Sequence, residues 1–290
     1  MTNKMSVKIA VIGGSGFYDI DSISDIKVIS VNTPFGKPSD DITTGILSDQ
    51  RIAFLPRHGK GHTLNPSEVN YRANLFALKE LGVEKIISST AVGSLKEEIK
   101  PTDLVIPDQY FDNTFKRQKT YFEKGIVAHV SMANPVCPFY TELARKTADE
   151  IGIKTHMGGT YFNMEGPQFS SRGESEVYKK LDFSIIGMTQ ATEAKLAKEL
   201  EICFIPLAFV TDYDCWHPEH DSVSVDMVVS NLNKNRDNAL KLIKNLLLKI
   251  NNSKPSCNCN NSLQFSFVSD PKKVDDKIKE RLMPLIKKYI

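Results

Sequence analysis

Two aspartates follow a nearly continuous apolar stretch at residues 202–210, which predicts a strand buried on both faces. Asp212 and Asp214 stand two residues apart after it, so on an extended chain their carboxyl groups face the same way. Two carboxyl groups in one semi-buried site acquire separated pKa values, and the one that stays protonated is a good general acid. The plainer interpretation is a pair of solvated or helix-capping aspartates at a strand end.

Three further segments carry groups that suit phosphate. The turn at residues 13–16 contains three glycines, Arg57-His58 comes directly after an expected strand, and so does Thr90-Ala91. Backbone amides of a glycine turn and the fork of an arginine both bind anions, and ligands of α/β sheets collect at the carboxyl ends of strands. The turn lacks the third glycine of a dinucleotide fingerprint and the Gly-Lys-Ser/Thr of a P-loop, so by itself it equally fits a plain tight turn.

The elements that must position these groups alternate between strand and helix. Expected strands cover residues 8–12, 51–55, 85–89, 104–106, 155–162, 183–186 and 202–210, and expected helices cover 65–81, 137–151, 175–181, 190–200, 224–249 and a last one from 270. This alternation predicts an α/β fold, a single domain whose central mixed, largely parallel sheet is flanked by helices. We expect a domain over residues 1–250 and a C-terminal extension over 251–290.

The composition excludes several classes of partner. Lysine and arginine number 37 against 35 aspartates and glutamates, with no basic stripe, so no nucleic-acid partner is expected. No apolar run reaches the roughly 20 residues of a membrane span, so we expect no membrane partner and a cytoplasmic protein.

The five cysteines indicate reduced thiols more than a disulfide scaffold. Cys137, Cys203 and Cys215 are expected to be buried thiols, although a Cys137–Cys203 disulfide stays open. Cys257 and Cys259 form a CxC pair in a polar segment, either inert or a redox-active or stabilising disulfide. Two cysteines with no histidine nearby make a poor zinc site, so no metal is expected.

Taken together, the motifs resemble the 5′-methylthioadenosine phosphorylase branch of the trimeric purine nucleoside phosphorylases. They keep that family's order and approximate spacing over residues 8–245. The matching segments are 12–16, 32–40, 57–59, 62–63, 69–71, 89–94, 165–167, 169–172, 188–189 and 211–216. Two positions depart from the family pattern: Ser15 replaces a common Thr, and Gln168 replaces a common Arg.

The resemblance implies a role for each matching site residue. It assigns phosphate to Ser15, Arg57, His58, Thr90, Ala91 and Thr189. It assigns the nucleoside to Phe169, Met188, Asp212, Asp214, Val225, Val228, Val229, His62 and, reaching into a neighbouring subunit, His129. Ser170 and Val225 align with positions that set specificity.

The resemblance also implies the reaction. Phosphate would attack the ribose of 5′-methylthioadenosine in purine and methionine salvage, in a homotrimer or a dimer of trimers without an organic cofactor. Asp212 would protonate N7 of the base, and Asp214 would accept from the 6-amino group. Because an inosine-type base needs a donor at that edge, two aspartates favour adenine, and adenosine would be a slower substrate.

Other readings of the same residues remain open. A broader purine nucleoside phosphorylase or a methylthioinosine enzyme would cleave inosine analogues. A non-catalytic nucleotide-binding module would bind nucleoside without turnover. A hydrolase would release the base without phosphate.

Overall fold

The computed structural model describes residues 7–14, 23–217 and 225–290, with the side chains of 225–229 outside the description. Within these residues, one sheet contains eleven strands: β1 (Ile9–Gly13), β2 (Ser24–Ile29), β3 (Ile42–Leu47), β4 (Gln50–Pro56), β5 (Lys85–Ser94), β6 (Leu104–Ile106), β7 (Gln109–Asp112), β8 (Thr155–Met157), β9 (Thr160–Asn163), β10 (Ile185–Gly187) and β11 (Cys203–Tyr213). The helices of the described residues are α1 (Tyr71–Glu80), α2 (Pro138–Glu150), α3 (Arg172–Lys180), α4 (Gln190–Glu199), α5 (Val225–Asn251) and α6 (Asp276–Ile286).

Strands β5 and β11 form the centre of the sheet. They run parallel, with pairs from Cys203 opposite Lys85 to Tyr213 opposite Ser94. Strand β1 lies parallel between β4 and β5, whereas β2, β3 and β4 pair antiparallel at one edge. The sheet is therefore mixed and largely parallel, which confirms the predicted fold class.

Both faces of the sheet are covered, which explains why its central strands are apolar throughout. In β1, Ala10 and Ile12 belong to the core shared with α1, α4 and α6. Ile9 and Val11 belong to the core shared with α2 and α5. Burial of each of the valine and isoleucine side chains of β1 stabilises the fold by about 1.5–3 kcal/mol.

Strand β5 is longer than the sequence indicated. Thr90 and Ala91 were expected in a loop after a strand at 85–89, but they lie inside β5. The strand continues because β11 runs beside it, with Ala208 paired to Thr90 and Phe209 to Ala91. The prediction of a strand-end loop there is wrong.

The predicted helix start at Asn65 is also wrong. The Asn65 side chain does accept from the Ser67 and Glu68 amides, and Glu68 accepts from the Asn65 amide, but these bonds close a single turn. Helix α1 begins at Tyr71, where the side chain of Asn70 accepts from Ala73. The capping pattern was read correctly, but it caps a turn and not the helix.

Smaller differences follow the same logic. The segment predicted as one strand at 155–162 is two strands, because Gly158 and Gly159 both have positive φ between them. Helix α3 begins at Arg172, since Ser171 and Glu174 form a capping box. Residues 271–273 form a short 3-10 turn, and the last helix starts after Asp275.

The C-terminal segment packs on the same core as the rest of the chain. Leu263, Leu282, Leu285 and Ile286 are buried in the core of α1 and α4. We propose that residues 251–290 are a C-terminal extension of the domain formed by residues 1–250. Among the described helices, none has the length and apolar character that crossing a bilayer requires.

Candidate active site

The ends of β1, β4 and β5 bring the expected phosphate loops together. Gly13 lies opposite Pro56 in the parallel β1–β4 pair, and the amide of Arg57 donates to the Gly13 carbonyl at 3.0 Å. Strand β5 follows on the other side of β1. Gly13, Arg57-His58 and the C-terminal part of β5 therefore lie at the same end of these parallel strands.

Arg57 is almost fully buried and already paired. Its guanidinium bonds both carboxylate oxygens of Glu193, at 2.5 and 3.2 Å, the Ser89 carbonyl at 3.1 Å and the Ser88 hydroxyl at 3.0 Å. Burial acts to lower the pKa of Arg57, but the Glu193 carboxylate outweighs it and the pKa is raised. Arg57 thus stays charged, and one Nη1 proton of its five guanidinium donors makes none of these hydrogen bonds.

His58 is neutral near pH 7. Its Nδ1 lies 2.9 Å from the Leu64 carbonyl, so Nδ1 carries the proton and Nε2 carries a lone pair. Burial, together with the Arg57 charge, lowers the pKa of His58 to about 4. The ring stacks on His62 with centroids 4.3 Å apart. Nε2 can therefore accept a hydrogen bond from a protonated phosphate oxygen.

Thr189 lies at the start of helix α4, directly after β10. Its side chain is 3% exposed, and it makes no capping bond to the helix. Its hydroxyl has no hydrogen-bond partner among the described residues. A helix N-terminus and a buried, unpartnered hydroxyl together suit an anion.

Asp212 lies near the end of β11, Asp214 follows directly after the strand, and both approach Gly93 of β5. A bulge at Thr211 sets Asp212 opposite Gly93 of β5. A side-chain carbon added at Gly93 would lie 3.3 Å from Asp212 Oδ1 and 3.5 Å from Asp214 Cβ. An alanine at position 93 would press on Ile186 Cγ2 at 3.1 Å and on Asp212 Oδ1, so the glycine gives the Asp212 carboxyl group space.

Burial raises the pKa of Asp212 to about 6, and the charge of Asp214 adds to the effect. The Thr211 hydroxyl lies 2.6 Å from Asp212 Oδ2, which leaves Oδ1 beside Gly93 to carry a proton. Burial also raises the pKa of Asp214. The nearby hydroxyls of Ser175 and Ser170 act against this rise. Asp214 Oδ2 is buried and makes no hydrogen bond of ordinary geometry among the described residues, so it can accept from a ligand donor.

The residues that are expected to contact the nucleoside are only partly enclosed. Met188 packs against Gly166, where any side chain would overlap its sulfur. The carbonyl of Ser170 accepts from the Cys215 thiol at 3.3 Å, next to Asp214 in sequence. Phe169, expected to pack on the purine, is 85% exposed in the single chain.

Several predicted residues stand elsewhere or outside the description. His129 is exposed, and its amide donates to the Ser266 carbonyl at 2.7 Å, on the C-terminal segment. Thr90 and Ala91 are on β5, two residues and one residue before Val92. Ser15 lies outside the described residues, as do the side chains of Val225, Val228 and Val229.

Two buried ion pairs were missed from the sequence. Glu193 is 1% exposed in the alanine-rich helix α4. A glutamate on the apolar face of that helix was the sequence feature that indicated a buried charge. Arg117 bonds Glu165 at 3.2 Å and also bonds the Met188 carbonyl. No local pattern marked Arg117, because its partners are 48 and 71 residues away.

Comparison with known proteins agrees with this arrangement. Residues 8–248 match the family model described as the phosphorylase superfamily. The S-methyl-5′-thioadenosine phosphorylase of Koribacter versatilis (strain Ellin345) is 46% identical, covering 98% of this chain and 97% of the relative. The enzyme of that name from Geobacter sulfurreducens is 47% identical, covering 99% of this chain and 100% of the relative.

Solved structures indicate the same family as the sequence comparisons. A methylthioadenosine phosphorylase from an antarctic soil metagenomic library superposes with a TM-score of 0.93 at 46% identity, covering 97% of this chain and 99% of that one. The Schistosoma mansoni methylthioadenosine phosphorylase in complex with tubercidin superposes with a TM-score of 0.80 at 32% identity, covering 97% of this chain and 98% of that one. The chain belongs to the phosphorylase superfamily, and within it to the family of the S-methyl-5′-thioadenosine phosphorylases.

Proposed function

We infer that this protein cleaves the glycosidic bond of 5′-methylthioadenosine with inorganic phosphate. The products are adenine and 5-methylthioribose 1-phosphate, as purine and methionine salvage require. The observation that carries this proposal is the pair of buried carboxyl groups beside Gly93, one with a pKa of about 6 and one with an unpartnered oxygen. The names of relatives at 46 and 47% identity support the same substrate.

Phosphate would bind between Arg57, His58 and the N-terminus of α4. The Thr189 hydroxyl and the remaining Arg57 proton donate to its oxygens, while His58 Nε2 accepts from its proton. We propose that Thr90, Ala91 and Ser15 complete this cradle. Held there, the anion attacks C1′ and stabilises the positive charge that develops on the ribose.

The base would lie against Asp212 and Asp214. As the glycosidic bond breaks, negative charge moves into the purine, and protonated Asp212 donates to N7. Asp214 Oδ2 accepts from the 6-amino group, which an inosine-type base lacks. A buried acceptor left without a donor costs free energy, so adenine is preferred over hypoxanthine.

The apolar parts of the nucleoside would meet Phe169, Met188 and a slot formed by Val225, Val228 and Val229. The 5′-methylthio group prefers such a slot to a free 5′-hydroxyl by about 1–3 kcal/mol, so adenosine is a slower substrate. We propose that Ser170 and Val225 contribute to specificity.

We propose that the active protein is a homotrimer or a dimer of trimers. The exposure of Phe169 and His129 in one chain supports this, because a neighbouring subunit would cover the ring and receive the histidine. We propose that no organic cofactor is needed, phosphate being a co-substrate. Five free thiols support the reducing cytoplasm as its compartment.

The test is release of adenine from 5′-methylthioadenosine with and without phosphate, alongside inosine. Phosphate-dependent release with little action on inosine is expected. Release without phosphate would mean hydrolysis and would contradict the roles of Arg57 and Thr189. Phosphate-dependent cleavage of inosine would instead contradict the role of Asp214.

A further inference from the structure

Four of the five cysteines meet at one point. The Sγ atoms of Cys137, Cys203, Cys257 and Cys259 all lie within 4.8 Å of one another. Cys203 and Cys257 are 3.6 Å apart, and all four carry free thiols. Three of them are buried and Cys257 is half-buried. Cys215, the fifth, is outside this four-cysteine cluster.

Three parts of the fold bring the cluster together. Cys137 caps the N-terminus of α2 without a side-chain capping bond, and its amide donates to the Phe204 carbonyl at 3.0 Å. Cys203 is the first residue of β11 and therefore lies beside it. The C-terminal segment then adds Cys257 and Cys259, with Cys259 opening a short 3-10 turn.

The spacing fits a tetrahedral thiolate site. Zinc–sulfur bonds of about 2.3 Å place tetrahedral sulfurs about 3.8 Å apart. The Cys203 and Cys257 sulfurs are 3.6 Å apart and all four sulfurs lie within 4.8 Å of one another, so little movement is needed. A disulfide needs sulfurs at about 2.05 Å, well inside these separations.

We propose that Cys137, Cys203, Cys257 and Cys259 bind one Zn²⁺ in a closed structural site. Four thiolates select a soft metal, and tetrahedral sulfur ligation is typical of zinc. The sequence-based expectation of no metal counted only the CxC pair, whereas the fold supplies two more thiols. The positive end of α2 at Cys137 favours the thiolate charge.

Such a site would fasten the C-terminal segment to the sheet. That segment places Leu263 and Leu285 in the core and pairs Ser266 with the amide of His129. With four protein ligands the zinc has no open position, so it takes no part in phosphorolysis. The proposal is therefore independent of the proposed reaction.

The first measurement is the metal content of the full-length protein, purified under reducing conditions without chelator. Roughly one zinc per chain is expected by elemental mass spectrometry. Treatment with a strong chelator should lower Tm by about 5 °C or more, and added Zn²⁺ should restore it. Co²⁺ added to the metal-free protein should give the absorption of a tetrahedral cobalt–thiolate centre.

Variants then locate the site. The double variant C257S/C259S should lose the zinc, and limited proteolysis should cut it in the 251–256 segment faster than the parent. Cys215→Ser, which removes the thiol outside the cluster, should keep one zinc per chain. The wild-type metal content and its reversal by chelator do not depend on whether the double variant folds.

Three results would overturn the proposal. One is protein without zinc that does not take up Zn²⁺ or Co²⁺ under reducing conditions. Another is an intact-mass measurement, on protein isolated from reducing cells, that shows a Cys137–Cys203 or a Cys257–Cys259 disulfide. The third is zinc that stays bound in C257S/C259S, which would place it elsewhere.

Discussion

Replacing Asp212 with Asn tests the acid role most directly. Asn keeps the shape of the side chain and can still accept from the Thr211 hydroxyl, but its amide N–H is too weakly acidic to transfer a proton to N7. General acid catalysis contributes about 10²–10⁴-fold, so kcat for 5′-methylthioadenosine should fall at least a hundredfold. Binding of adenine and phosphate should change little.

The pKa of Asp212 sets the pH dependence. With a pKa of about 6, roughly a tenth of the free enzyme carries the proton at pH 7. In the parent enzyme, kcat/KM should therefore fall as pH rises above about 6. In the Asp212→Asn variant this alkaline decline should disappear.

The raised pKa of Asp212 also means that the ionised side chain destabilises the native state. Its pKa is raised from 3.8 to about 6, so the ionised form destabilises the native state by at most about 3 kcal/mol. The native state binds this proton more tightly, so the penalty appears as pH rises from about 4 to 6. The variant should be more stable than the parent at pH 7 and equally stable near pH 4.

These two effects together separate chemistry from misfolding. Turnover should be followed by adenine release and stability by urea unfolding at both pH values. Asp103→Asn is a matched control, because Asp103 is also buried but pairs with His156 outside the site. A variant at position 212 that keeps near-full kcat with the parent's pH profile would refute the acid role.

The structure makes further predictions for other parts of the site. Glu193→Gln should lower the free energy of unfolding by about 3–5 kcal/mol, because it leaves a buried guanidinium unpaired, and added phosphate should restore part of the loss in urea titrations. The imidazole of His58 should titrate near pH 4 by NMR and at a higher pH with phosphate bound; a value near 6.5 without phosphate would contradict its burial. Gly187→Ala should destabilise the fold because its Cβ would overlap the Tyr161 hydroxyl, whereas Gly173→Ala, with open space in helix α3, should stabilise it by about 0.5–1 kcal/mol in thermal melts.

Local patterns explain which elements the sequence could predict. The apolar runs of β1 and β11 are buried on both faces, so composition alone marked them. Strand β2 is mostly exposed and mixes charged with apolar residues, so it gave no such signal. The extra length of β5 depends on β11 beside it, a pairing that no single segment encodes.

The residues of the site divide in the same way into those marked by local sequence features and those that depend on long-range contacts. Asp212 and Asp214 were found because their spacing and the preceding strand are local features. The Arg57–Glu193 pair joins residues 136 positions apart, and Cys203 meets Cys257 across 54. Such contacts are set by packing, so sequence patterns at either end could not reveal them.

The charges of the site suit an anion that must react and not only bind. Glu193 already neutralises Arg57, so in the proposed reaction phosphate would meet mainly neutral donors, the Thr189 hydroxyl and the amides of helix α4. A bare guanidinium would hold the anion more tightly and withdraw the negative charge that the developing ribose cation needs. On the other side of the site, burial keeps Asp212 partly protonated, so it adds little repulsion and supplies the proton that adenine needs to leave. In the proposed reaction, one buried ion pair and one buried acid would thus direct negative charge to the sugar and a proton to the base.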